Sequence, residues 1–169
     1  MSDELVRMEN IVKRYGNVNA LKGVTLSLKK KEILGLVGDN GAGKSTLIKI
    51  LSGATRATAG DVYFKGEEVK ITSTMDAINL GIETIYQDSA LVTQLSVARN
   101  LFLGREPVNR FLGFPLLDRS IMNSETRKLM KQVGIIKDID PGTPITALSG
   151  GERQSIAIAR AMYFEADLI

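Results

Sequence analysis

The chain has 169 residues, 44% of them hydrophobic, enough to bury a core in a domain of ordinary size. Its 22 basic and 19 acidic residues leave a formal charge of only +3, too mild and too evenly spread to indicate nucleic-acid binding. With no cysteine there is no disulfide framework and no thiolate metal site, and with no histidine the usual base near neutral pH is missing. The start, Met1 to Arg7, lacks the basic and apolar pattern of a signal peptide, and no stretch approaches the ~20 apolar residues that cross a bilayer. A cytosolic setting is expected, with any membrane role running through a partner.

The first third alternates as sheet does. Val24, Leu26 and Leu28 point one way with Thr25 and Ser27 between them, and Val62 and Phe64 repeat the pattern after Gly60-Asp61, so antiparallel strands are expected. Lys29-Lys30-Lys31 reads as a solvated hairpin, since three lysines sustain little attraction at physiological salt. Glu32 to Val37 is a short, nearly unbroken apolar run, as expected of a strand buried on both faces of a parallel sheet. It leads into Gly38-Asp39-Asn40-Gly41-Ala42-Gly43-Lys44-Ser45-Thr46, and Ser45 to Ser52 then carries Leu47, Ile48, Ile50 and Leu51 on a helix that Gly53 stops.

That strand, glycine loop and helix form a site for the phosphates of ATP. Glycines let backbone amides approach a phosphate with no side chain in the way, here at Gly38, Gly41 and Gly43, with Asn40 and Ala42 between them. The helix turns its partially positive end toward the same point, Lys44 adds a full charge, Ser45 offers a hydroxyl to Mg2+, and Thr46 is placed to contact a phosphate. Farther on, Gly81 to Ile85 reads as another apolar strand. From Ser96 the pattern becomes helical, with Val97, Leu101, Ile121, Met122, Leu129, Met130 and Val133 at spacings near three and four. Arg105 to Leu117 and Asp140 to Pro144 read as loops. Ser149 stands where a helix cap would, ahead of Glu152 to Phe164 with Ile156, Ala159, Met162 and Tyr163 on one face.

Leu148-Ser149-Gly150-Gly151-Glu152-Arg153-Gln154 by itself fits any capped helix start. Following a phosphate loop by about a hundred residues, it closely resembles the signature of ATP-binding cassette (ABC) ATPases, and the resemblance covers Leu5 to Ile169. It implies an α/β P-loop NTPase core over 1–94 and 144–169, with an antiparallel β subdomain, a helical subdomain over 95–143, and an incomplete C-terminus. It also implies a second ABC domain, in a homodimer or a tandem cassette, whose Ser149, Gly150 and Gly151 meet the γ-phosphate in trans. Tyr15 matches the aromatic residue that stacks on adenine, and Val18 is placed to touch the base. Gln87 matches the glutamine that reaches Mg2+ or the attacking water; with Lys44 it is the catalytic residue expected here.

Asp76 to Ile82 and Leu95 to Glu106 look like the ATP-binding subunits of bacterial monosaccharide importers of the ribose, xylose and fructose type. The resemblance then implies a membrane permease subunit, indirectly a sugar-binding protein, no nucleic acid, and a peripheral place at the cytoplasmic face of the inner membrane. The surface around Leu95 and Leu101 would receive a short helix of the permease, or is helix core. Tyr86-Gln87-Asp88 and Glu152-Arg153 depart from that group's frequent His-Gln-Glu and Gln-Gln. An ABC ATPase for another cargo, or a nucleic-acid or ribosome clamp, is the alternative. The family continues past the position of Ile169 into a strand bearing a magnesium-associated Asp and a Glu base; without them, negligible hydrolysis, low stability or self-association is expected.

Overall fold

The computed structural model describes residues 3–86, 91–111 and 114–169. These divide into two compact units, one running to Glu83 and taking in Leu168, the other running from Thr84 to Asp167 and taking in Ile169.

The first unit is built on an antiparallel sheet of strands β1 (Glu4–Tyr15), β2 (Val18–Lys29), β3 (Ala59–Phe64) and β4 (Glu67–Val69), in the order β2-β1-β3-β4. The alternation predicted for β2 holds: Val24, Leu26 and Leu28 turn inward while Thr25 and Ser27 are exposed. The register slips between Met8 and Ile11, where Asn10 takes a left-handed φ of 52° and its N–H is received by Thr25 Oγ1 at 3.1 Å. Helix α1 (Lys44–Leu51) buries Leu47 and Ile50 among Val6, Met8, Ile11, Val62 and Phe64. Ile48, on the same helix, is exposed. Helix α2 (Thr74–Asn79) starts at a capping box in which Ser73 and Asp76 satisfy each other's backbone amides, and it buries Ala77.

Two predicted strands of this unit do not form. Residues 32–37 pair with no described strand, and Ile33 and Val37 stand 100% and 93% exposed. An apolar run becomes a strand only where neighbours take up its N–H and C=O groups. The run at Gly81 to Ile85 is reduced to one parallel bridge, Ile82 with Leu168, flanked by Glu83 N–H to Leu168 O at 2.9 Å and Leu168 N–H to Gly81 O at 3.2 Å.

The second unit holds α3 (Val97–Leu101), a hairpin of β5 (Val108–Phe111) and β6 (Phe114–Leu117), α4 (Arg119–Gln132), a 3-10 turn at Ile145–Ala147 and α5 (Gly150–Tyr163). The hairpin replaces the loop expected over 105–117; Pro115 and Gly113 mimic a loop in sequence, but a two-stranded ribbon has an outer edge where a missing N–H is tolerated. Val97, Leu101, Phe102, Met122, Leu129, Ile145, Ile156 and Ala159 form the core. The stretch from 144, expected with the first part of the chain, therefore contributes Ile145, Leu148, Ile156 and Ala159 to this cluster. Leu101 is core, not the open surface that was one of its two readings. On α5, Met162, expected on the inner face, is exposed, while Ala161 is buried. Ile121 likewise faces out.

Phe102, Tyr163 and Phe164 meet edge to face, the first pair with centroids 4.9 Å apart, and the Arg105 guanidinium lies 3.6 Å from the centroid of Phe164. Burial, and the nearness of Arg160, make the Arg105 guanidinium easier to deprotonate than usual. Asn100 is buried at the foot of α3. Its amide donates to the carbonyls of Val92, Leu95 and Ser96 at 3.0–3.2 Å and accepts from Val92 N–H at 2.7 Å.

Candidate nucleotide site

The phosphate loop belongs to the first unit. Gly38, Gly41 and Gly43 all take positive φ, of 148°, 87° and 92°. Gly43 is the N-cap residue of α1 in the left-handed conformation, and no side chain caps the helix. The first-turn amides of α1 are thus free of side-chain acceptors, and no acidic residue occupies that turn. Such an end attracts an anion, and the donor set fits a nucleotide phosphate.

Gly43 meets a second demand, which spacing alone does not reveal. A Cβ there would lie 2.7 Å from both the Ala20 carbonyl oxygen and Leu21 Cδ2, so the loop passes directly against β2. Lys44 Nζ donates to the carbonyls of Gly38 and Asp39 at 2.7 and 2.8 Å, drawing the loop into a curl. Ala42 N–H closes a turn on Asp39 O at 3.2 Å. Ser45 is exposed at the second helical position and Thr46 is half-buried at the third, while Asn40 and Ala42 are exposed.

Tyr15 and Val18 face each other across the tight turn at Gly16-Asn17 that joins β1 to β2. Both are largely exposed, and Val18 stands two residues along β2 from Ala20, which abuts Gly43. The hairpin tip therefore sits within about 7 Å of strand length from the loop's contact point. Lys13 Nζ lies 4.8 Å from the centroid of the Tyr15 ring and donates to Arg56 O at 2.6 Å. Lys13 went unnoticed in the sequence, although residues two apart on a strand share a face. Gln87, expected at the metal and the attacking water, lies outside the described residues, as does Asp88.

The second motif lies in the other unit. Ser149 is the N-cap of α5: its Oγ accepts from Glu152 N–H at 3.3 Å, and Glu152 Oε2 accepts from Ser149 N–H at 2.7 Å. Hydrogen bonds from the Ser149 backbone and side chain hold the Glu152 carboxyl below the usual carboxylate range, and nearby Lys137 adds to this. Arg153 Nη1 fixes the Leu148 carbonyl at 2.7 Å. Gly150 and Gly151 are the exposed first two residues of α5 and have nothing within 4 Å of where a Cβ would stand.

Comparison with known proteins accords with this reading. The chain is 46% identical over 170 aligned positions to the xylose/arabinose import ATP-binding protein XylG of Sulfolobus acidocaldarius, covering all of this chain and 65% of that protein. It is 44% identical to the ribose import ATP-binding protein RbsA 1 of Streptomyces avermitilis, covering 99% of this chain and 31% of that one. The chain thus spans about two thirds of one relative and a third of the other. Among solved structures, the ADP conformation of MJ1267, an ATP-binding cassette of an ABC transporter, superposes with a TM-score of 0.77 at 27% identity, covering 98% of this chain and 66% of that one. A nucleotide-free ATP-binding cassette from an ABC transporter gives 0.79 at 26% identity over 96% of this chain and 66% of that one. The sequence profile of the ABC transporter family matches residues 21–169, and the chain belongs to that family.

Proposed function

We propose that this chain is the ATP-binding, energy-coupling part of a monosaccharide importer. The observation that carries the reading is the uncapped, glycine-rich start of α1 with Lys44 curled over it, in a chain whose relatives are named for sugar import. Tyr15 and Val18 take the adenine, the backbone from Gly38 to Gly43 cradles the phosphates, and the Lys44 amine leaves the Gly38 and Asp39 carbonyls for the β- and γ-phosphates. Ser45 and Gln87 hold Mg2+, which when bound neutralises the charge that develops on the transferred phosphoryl group. Among the described residues no cluster of acidic side chains competes for the cation.

The site is completed by a second cassette, whose Ser149 hydroxyl and Gly150 and Gly151 amides reach the γ-phosphate. Nucleotide then joins two surfaces, and its hydrolysis releases them. No helix among the described residues is long and apolar enough to cross a membrane. In this reading, coupling to transport runs through a permease subunit, with a sugar-binding protein on its far side and this chain at the cytoplasmic face of the inner membrane.

Titration of the chain with ATP in the presence of Mg2+ tests the reading. Removing a charge-assisted contact to phosphate costs roughly 1.5–3 kcal/mol, so Lys44→Ala should weaken ATP about ten- to a hundredfold while leaving the melting temperature near that of the parent. Unchanged affinity in Lys44→Ala would overturn the assignment of the loop.

A further inference from the structure

The β5–β6 hairpin presents apolar side chains on both of its faces. Val108 and Leu117 are cross-strand partners on one face, and Leu116 and Phe114 stand on the other. Val108, Phe114 and Leu116 are 56%, 72% and 52% exposed. A lone two-stranded ribbon is marginal in water, and one that is apolar on both sides has no core of its own to bury.

The surroundings of the hairpin are cationic. At its foot a recess of about 330 Å³ is lined by Ser96, Arg99, Leu117, Arg119 and Asn123. Arg99, Arg110 and Arg119 have no ion-pair partner among the described residues. The neighbouring acid Asp118 is engaged elsewhere, accepting from Ile121 N–H at 3.0 Å as the cap of α4 and from Asn109 Nδ2 at 2.6 Å. Unpaired guanidiniums beside exposed aliphatic and aromatic side chains are the composition of an interfacial membrane anchor, where the cations meet phosphates and the apolar groups enter the acyl boundary.

We infer that the β5–β6 hairpin is a membrane-surface anchor, with Arg99 and Arg119 holding the phosphate of an anionic phospholipid headgroup in the recess while Phe114 and Leu116 enter the headgroup region. The anchor is independent of the nucleotide site, and charge complementarity selects an anionic lipid over a neutral one.

Co-sedimentation with phosphatidylcholine vesicles, with and without a minority of phosphatidylglycerol, tests this. The chain should bind the anionic vesicles and not the neutral ones, and binding should weaken as salt rises. A basic residue near an anionic surface is worth about 1 kcal/mol, or roughly fivefold in affinity, so Arg99→Gln with Arg119→Gln should lower vesicle binding on the order of twentyfold. Phe114→Ser with Leu116→Ser should lower it at fixed charge, in a form whose melting temperature shows that it folds. Lys29→Gln with Lys30→Gln, the same charge change on β2 and its turn, should leave binding within about twofold, as should Lys44→Ala. Equal loss in the β2 pair and the hairpin pair would reduce the effect to net charge and overturn the anchor. So would inorganic phosphate abolishing binding with the apolar variant behaving as the parent, or absence of binding to anionic vesicles.

Discussion

Alanine at Gly43 would place a methyl group 2.7 Å from the Ala20 carbonyl, at a φ of 92° that a side chain rarely adopts. Neither obstacle yields easily, since the contact is to backbone and the strain is local. Gly43→Ala should therefore destabilise the chain by about 1–3 kcal/mol, read from the urea midpoint, and weaken ATP together with stability. Gly41→Ala separates the two demands: its φ is 87° but nothing lies within 4 Å of a Cβ, so it should cost less than Gly43→Ala in the same titration. Equal costs would show that conformation alone sets the requirement. Spacing made both glycines visible as phosphate-loop residues, but the approach of β2 to Gly43 arises from the packing of Ala20 and Leu21, far off in sequence, and has no local signal.

At the scale of elements, what the sequence made legible depends on where each element finds its partners. The caps at Ser149 and the helix after the phosphate loop are local, set by residues three apart, and both were readable. Strand 32–37 was misread because its apolar composition says nothing about whether neighbouring strands stand beside it, and the hairpin at 108–117 was missed because Pro115 outweighed the pairing of Val108 with Leu117. The capping box of α5 has a pH signature. Glu152 is held below the ordinary carboxylate range in the folded chain, so it stabilises above that range and the contribution is lost as pH falls from about 4.3 through the lowered value. Asp76, lowered by its bonds from Thr72 and Ser73, adds to the same acid limb. Glu152→Gln keeps an acceptor for Ser149 N–H without the charge, so the stability gap between it and the parent should close as pH is lowered toward 3, measured by urea unfolding. A gap constant with pH would assign the cap to geometry alone.

Over the whole molecule, the two hydrophobic clusters formed by the described residues are distinct: Ile11 and Met8 are in one, Phe102 and Ile156 in the other. Truncations at sites with no shared partner are expected to add. Ile11→Ala should cost about 2–5 kcal/mol and Phe102→Ala about 3–5 kcal/mol, the larger loss including the edge-to-face contacts with Tyr163 and Phe164. If both singles remain folded, the double variant should lose their sum within about 0.5 kcal/mol in calorimetry or urea unfolding. A deviation well beyond that would mean the clusters are energetically one.

Asn100 sets a limit on how this sequence can vary. Its side chain answers three carbonyl oxygens and one N–H gathered from Val92, Leu95 and Ser96. Aspartate has the same shape but would aim a second oxygen at three others; leucine has nearly the volume but would leave the Val92 N–H without its acceptor, although the three carbonyls would keep the N–H groups of Leu95, Ile145 and residue 100; glutamine carries the right amide one methylene too far. Position 100 thus favours asparagine for reasons that involve no ligand, and invariance there would be a record of architecture, easily mistaken for a record of chemistry.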